Sequence, residues 1–430
     1  MNRAFSGISN KKEYWIRFLP FLLLYSIIVL ILQKKQLEGD EGRYIMYAEN
    51  LLHGYYSPKN EVFIWNGPGY PILLMPFLIL KTSWTVIRLL NALMIYISVV
   101  TLFKTLVLFV SERKAYLFAI VWALYYIMFR EMSKILTESF VIFLLVLLQY
   151  HIAVLFFEEK MHKKHVFIAG CLLGWIILTK IIFSYIMMAG IITGIFLWLI
   201  KQKIIAKKII TITSIAFLIN LPYLVYTHHV TNRYLYWANS GGSSLYWAST
   251  PFKGEYGDWN SDDFTAYCGW DTITPCNATF FAKNHEADFI LFRQLKGVEK
   301  DDALKKKAIE NIKAYPLKYA FNCLANIGRM LFGMPQSYSF QRPNQLILLL
   351  PNIPVVAFIL FDIIFLFKRK FRVPVVLLIL LIFTIFYLCL SIIVSAEQRQ
   401  FYIVVPFILL LTAYCLEQAE LQIIQDRKII

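Results

Sequence analysis

Long apolar runs separated by short polar breaks dominate this chain. Ten of them read as membrane-crossing helices: 14–32, 85–109, 115–129, 137–157, 166–182, 184–200, 209–227, 346–367, 374–394 and 401–417. A crossing needs about 20 predominantly apolar residues, and the 115–129 run approaches that only by borrowing from its flanks. Two further apolar stretches read differently. Residues 70–80 are too few to cross comfortably, and 316–334 is interrupted by Lys318, Asn322, Asn326 and Arg329. Both are expected to lie in, or dip into, the membrane interface. The pattern predicts an all-α polytopic membrane protein with about ten transmembrane helices plus juxtamembrane helices. No internal repeat, low-complexity stretch or soluble domain stands out.

Charge sets the orientation. The basic clusters are Lys11–Lys12–Arg17, Arg113–Lys114, Lys163–Lys164, Lys201–Lys203–Lys207–Lys208, Lys368–Arg369–Lys370–Arg372 and Arg427–Lys428. Ten crossings put all of them on one side, which the positive-inside rule makes cytoplasmic, together with both termini. Counting 70–80 as a crossing would move the next three clusters outside. The expected organisation is an N-terminal transmembrane module (1–227) with a first outer loop (33–84), a large extracytoplasmic loop (228–345) and C-terminal transmembrane helices (346–430). A short second loop (130–136) and a hinge (395–400) complete the outer-face loop region. The first run is long and lacks a small-residue cleavage site, so it reads as a retained anchor in a plasma or inner membrane.

Composition agrees. Of 430 residues 59% are apolar and 16% charged, against roughly 25% charged in soluble domains. That excludes an ordinary soluble domain, a disordered chain and a disulfide-rich module. The net charge of +16 sits in short clusters between apolar runs, not on one basic face, so no nucleic-acid partner is expected. Of the six cysteines only Cys268 and Cys276 share a polar loop, as a disulfide or as two free thiols. There is no Walker A motif, no GxGxxG after a strand, no HExxH and no Asp-x-Asp, which leaves a soluble nucleotide-sugar or ATP site unsupported. His53, His228 and His229 lack a third ligand at metal spacing. No metal site or cofactor is expected, though a divalent cation stays open.

Candidate chemistry concentrates in the outer loops. Residues 40–54 form an amphipathic pattern with Tyr44, Ile45, Ala48, Leu51 and Leu52 on one face, Asp40 as N-cap and Gly54 as stop. Asp40 and Glu41 then have an ordinary role as helix-start acids. Trp65-Asn66-Gly67-Pro68-Gly69-Tyr70-Pro71 reads as a rigid turn. Glu138 opens the 137–157 run, where it also reads as a capping partner. Lys180 lies about 14 residues into its run, roughly 21 Å along a helix; such a residue is functional or it snorkels. Arg88 and Arg399 are interfacial and either anchor the protein or bind an anion. The large loop is rich in Tyr and Trp, including Tyr246, which suits an aromatic belt or stacking on sugars. Asn277-Ala278-Thr279 is a glycosylation sequon.

Several of these pieces, in this order, resemble the GT-C membrane glycosyltransferases. The likeness is strongest to the branch of protein O-mannosyltransferases and the lipid A aminoarabinose transferase. Asp40-Glu41-Gly42-Arg43-Tyr44 is similar to that branch's Asp-Glu-x-x-Tyr opening. Arg88-Leu89-Leu90-Asn91-Ala92-Leu93, Thr137-Glu138-Ser139, Gly170-x3-Gly174-x4-Thr179-Lys180, Gly241-Gly242-Ser243-Ser244-Leu245-Tyr246 and Arg399-x6-Pro406 resemble its later motifs. Asn66, Tyr226 and Gln400 depart from the pattern, standing where a basic residue, an Arg-Asn pair and a Tyr are usual. The resemblance implies transfer of a sugar from a polyprenyl-phosphate donor to an acceptor hydroxyl of a lipid, glycan or protein, with inversion, outside the cytoplasm. It implies Asp40 as base, Glu41 as the alternative or orienting acid and Glu138 as a supporting acid. Arg88, Lys180 and Arg399 become donor-phosphate ligands, and Arg43, Tyr44, Asn66 and Tyr246 contacts to acceptor or sugar. The competing classes are a transporter or lipid flippase, which would place broken helices and charges at the midplane, and a non-catalytic scaffold.

Overall fold

A computed structural model describes residues 12–157, 161–261, 278–338, 349–368, 373–394 and 396–429. Every regular element among them is a helix. Six helices are long and apolar enough to cross a membrane: α1 (Lys12–Leu32), α4 (Trp84–Leu106), α7 (Thr137–Phe157), α10 (Lys203–Thr231), α16 (Val375–Val394) and α18 (Val405–Ile429, apolar to Ile424). Shorter apolar helices are α3 (Gly69–Ile79), α9 (Phe183–Leu199) and α15 (Asn352–Lys368). Ten crossings are thus not reached on helix length and composition alone. The 115–129 run in particular yields α5 (Glu112–Ala123), which is 12 residues and spans about 18 Å of a core about 30 Å thick. Its successor α6 (Ile127–Met132) is a separate helix.

The bundle is built on close helix contacts. α1 packs on α4, α4 on α7, α7 on α8 (Lys163–Thr179), and α8 on α10. Glycines set the last contact. A Cβ at Gly170 would stand 2.6 Å from Ile215 Cβ, and one at Gly174 would stand 2.9 Å from Ile219 Cβ. The Gly-x3-Gly spacing therefore works as a small-residue stripe that lets two backbones approach. Asn220 ties the same pair by donating to Gly174 O at 3.1 Å.

Two units cover the end of the bundle that carries Asp40. One is α2 (Asp40–Leu52) and the turn that follows it, packed on α3. The other is α11 (Gly241–Ala248), α12 (Ala278–Phe292) and α13 (Gly297–Ala314), with an aromatic core of Tyr246, Trp247, Phe281, Phe289 and Phe292. α14 (Pro316–Phe332) follows and is amphipathic in an inverted sense: Asn322, Asn326 and Arg329 are buried, while Leu317, Phe321 and Leu324 are exposed. Pro316 sits at its first turn, where a missing N–H costs nothing. Cys171, Cys323, Cys389 and Cys415 are free thiols. Cys268, Cys276 and the sequon asparagine Asn277 lie outside the described residues.

Candidate active site

Asp40 is not the N-cap that its position suggests. It is the first residue of α2, Gly39 is the N-cap, and no side-chain cap bond forms there. The Asp40 carboxylate instead accepts from Arg43 Nη2 at 2.8 Å, one turn along, and from Arg399 Nη1 at 3.0 Å. Asp40 is 28% exposed and Arg399 40%. Burial pushes the Asp40 carboxyl up, but the charges of Arg399 and Arg43 outweigh it and hold it below the usual carboxylate range.

Glu41, the next residue, faces the other way and is 2% exposed. Its Oε1 accepts from Arg88 Nη2 at 3.3 Å and from Ile135 N–H at 2.7 Å, and its Oε2 accepts from Glu38 N–H at 2.8 Å. Arg88, equally buried, also donates to Lys34 O at 2.6 Å. Three residues along α4, Asn91 donates to Met132 O and Lys134 O at 3.2 and 2.7 Å. One face of α4 therefore fastens both the first loop and the 130–136 loop. Arg88 is held by Glu41 and backbone, away from the Asp40 ion pairs.

Glu138 and Lys180 meet in an ion pair that the sequence motifs do not announce. Lys180 Nζ donates to Glu138 Oε1 at 2.9 Å, with Glu138 buried at the start of α7. Lys180 lies just past the end of α8 in extended backbone. The turn at 66–69 is pressed against this end: a Cβ on Gly67 would stand 2.0 Å from Leu178 O, so only glycine fits. Asn66, on that turn, accepts from Arg43 Nε at 2.9 Å and donates to Tyr44 at 3.3 Å. Thus Arg43, Tyr44 and Asn66 join Asp40, while Glu138 and Lys180 stand close enough for Glu138 to raise the Arg399 pKa together with Asp40, against the lowering effect of burial.

Arg399 is presented by a short helix, α17 (Gln398–Tyr402). Glu397 is its N-cap, and Gln400 closes a capping box by accepting from Glu397 N–H at 2.7 Å. The glutamine that departs from the family pattern thus has a local structural use. Tyr226, another departure, accepts from Ser57 N–H at 2.9 Å and holds the first loop to α10.

Tyr246 does not join this cluster. It is 1% exposed inside the α11–α13 core, bonded to His285 Nδ1 at 2.7 Å and Asp288 Oδ2 at 3.0 Å. Its burial leaves no ring face for a sugar, which corrects the role implied for it. Sequence reasoning missed the Ile135 amide, whose backbone role has no side-chain signature. It also missed Trp65, whose ring lies 5.3 Å from the Arg43 guanidinium carbon; the adjoining Asn66 was the available signal. Among the described residues no group of three or more His, Cys, Asp or Glu side chains could hold a metal ion. His53 donates from Nδ1 to Glu49 O, and His228 stacks on Tyr234.

No family model matches the sequence, and no curated protein does. Solved structures do match. The oligosaccharyltransferase of Archaeoglobus fulgidus, tethered to an acceptor peptide, aligns at TM-score 0.52 and 14% identity over 97% of this chain. The same organism's AglB, in complex with an inhibitory peptide and a dolichol-phosphate, aligns at TM-score 0.50 and 14% identity over 98% of this chain. The chain spans about half the length of these proteins, 51% and 52%. ArnT from Cupriavidus metallidurans bound to undecaprenyl phosphate aligns at TM-score 0.40 and 10% identity, over 95% of this chain and 79% of its own. The fold of this chain is therefore similar to that of the membrane-embedded archaeal oligosaccharyltransferase over nearly its whole length.

Proposed function

We propose that this protein transfers a sugar from a polyprenyl-phosphate-linked donor to an acceptor hydroxyl at the extracytoplasmic face, with inversion. One observation carries the reading: Asp40 and Arg399, 359 residues apart in sequence, meet in an ion pair that water can still reach. The charge of Glu138, which is paired with Lys180 at 2.9 Å, also acts on Arg399. The archaeal protein of the same fold that is described with a dolichol-phosphate supports a lipid-phosphate donor. The acceptor on this reading is a lipid, glycan or protein hydroxyl.

The chemistry fits a single displacement. A phosphate leaving group needs cations more than a proton donor, and Arg399 and Lys180 supply them. The acceptor oxygen attacks the anomeric carbon from the face opposite the phosphate. Its proton passes to Asp40, the new C–O bond forms, and the old one leaves with polyprenyl phosphate. As paired in this structure Asp40 is a weak base. A donor phosphate competing for Arg399 removes the cation that depresses Asp40 and raises its basicity when substrate is present. Glu41 and Arg88 serve as a buried brace instead of as acid and phosphate ligand. Glu138 orients Lys180.

The test is transfer by purified protein in vesicles carrying undecaprenyl-phosphate sugars, with mass spectrometry of cell-envelope glycoconjugates from cells with and without the protein. Asp40→Asn is expected to abolish product while leaving donor binding in place. Lipid scrambling or uptake with no sugar transfer from any donor favours a flippase or transporter instead.

A further inference from the structure

The α2 turn and the α11–α13 unit enclose a cavity of about 230 Å³. Phe63 and Trp65 line it from the first loop together with Glu61; Asn239, Ser243 and Asp301 line it from the other side. One wall, Trp65, links it to the Asp40 cluster, since the Trp65 ring lies under Arg43, the residue bonded to Asp40. Its walls are firmly set. Asn239 accepts from Ile64 N–H at 3.0 Å and donates to Val62 O at 2.7 Å, and Asp301 accepts from Gly242 N–H at 2.6 Å.

We infer that this cavity holds an uncharged sugar ring of the acceptor, a reading that rests on Asp40 as the base for the acceptor hydroxyl. Size, shape and charge each point there. The volume is below the roughly 300–1,000 Å³ of drug-sized sites, so it takes one ring and not a chain. Phe63 and Trp65, packed on each other with ring centroids 5.3 Å apart, present the ring surface that Tyr47 and Arg43 leave uncovered to the C–H side of a pyranose. Glu61 already accepts from Gly297 N–H at 3.0 Å, and Asp301 from Gly242 N–H and Tyr236 O–H at 2.6 and 3.3 Å, and since a carboxylate has about four lone-pair sites both can still accept from the sugar's hydroxyls. Two carboxylates against one lysine, Lys300, make the lining net acidic and unfavourable to a phosphorylated headgroup. The ring next to Asp40 is then the one that receives the transferred sugar.

Direct binding tests this separately from catalysis. The full chain in detergent is probed by saturation-transfer difference NMR with methyl α-mannoside, methyl β-galactoside and methyl N-acetyl-β-glucosaminide, and with glucose 6-phosphate as the charged comparison. The expected result is saturation of at least one neutral glycoside, with affinity lowered about five- to tenfold in Trp65→Ala and partly restored in Trp65→Phe. Ser243→Leu, which fills the cavity from α11, should give the same loss without touching the ring. Absence of binding by all three neutral glycosides overturns the inference. So does binding unchanged in Ser243→Leu, or preferential binding of glucose 6-phosphate. Glycoside binding by a protein that transfers no sugar leaves the cavity assigned and sinks the enzymatic reading alone.

Discussion

Asp40 and Glu41 are neighbours in sequence, both carboxylates and both paired with arginine, yet they belong to two different regions. The Glu41–Arg88 region is sealed, each side chain 2% exposed, and its remaining bonds go to backbone amides and carbonyls. The Asp40–Arg399 region is open, with the two side chains 28% and 40% exposed. A sealed pair cannot exchange partners without leaving a charge stranded in low dielectric. An open pair can, because water and ligand compete for the same donors. On the proposed reading the helix start supplies a brace and a base from adjacent positions, one carboxylate turned toward Arg88 and the other toward Arg399.

The largest effect is expected at the open carboxylate. Asp40→Asn should lower the transfer rate by about 10²–10⁴-fold, the range for a positioned base. Thermal unfolding should barely change, since exposed pairs contribute about 0–1 kcal/mol each. Near-normal turnover would remove Asp40 as base. At the sealed pair the balance reverses. Arg88→Met should destabilise the protein by about 3–5 kcal/mol by leaving Glu41 unpaired, and Glu41→Leu added to it should recover most of the loss. An Arg88→Met protein of normal stability that no longer binds undecaprenyl phosphate would return Arg88 to the donor site and erase the contrast.

Arg399→Gln should slow transfer by about 10²-fold through the lost cation, and it should also move the pH profile. Arg399 helps hold Asp40 below its ordinary value, and a base works only above its own pKa. Removing the cation raises that pKa in the free enzyme, so the acidic limb of the kcat/KM profile shifts to higher pH. A limb unmoved in Arg399→Gln would show that Asp40 is not the titrating base. For stability the sign is the usual carboxylate one: the Asp40 contribution is present above the unfolded value of about 3.9 and fades as pH falls through the folded value. Smallest of all, Gln400→Ala should cost about 1 kcal/mol by opening the α17 capping box, read by thermal shift, with turnover reduced in proportion to the fraying of Arg399.

Much of the architecture is legible from hydrophobic runs, because burial in lipid imposes length and composition directly. Asp40 with Arg43 is legible too, being one helical turn apart, whereas the Glu138–Lys180 pair, 42 residues apart, is not. What the sequence hides is direction. Nothing in Asp40-Glu41 says which carboxylate turns inward; that is decided by Arg88 and the Ile135 amide, 47 and 94 residues away. Tyr246 misleads for the same reason, since an aromatic residue in a long loop reads alike whether it lines a cleft or forms a core. The 115–129 run overstates its span because apolar composition continues across the break between α5 and α6, where helix geometry does not.

The inverted helix α14 has one more effect on the cleft. Tyr319, Asn326 and Arg329 donate to the carbonyls of Ile393, Ile392 and Ala396 at 2.6, 2.7 and 3.2 Å; the first two belong to the last turn of α16, whose carbonyls lack internal partners. Arg399 follows three residues beyond the last of these. The helix that exposes Leu317, Phe321 and Leu324 on one face is thus bonded through the other to the segment that presents Arg399. The same polar row thereby anchors α14 to the backbone that leads into Arg399, whose guanidinium reaches Asp40.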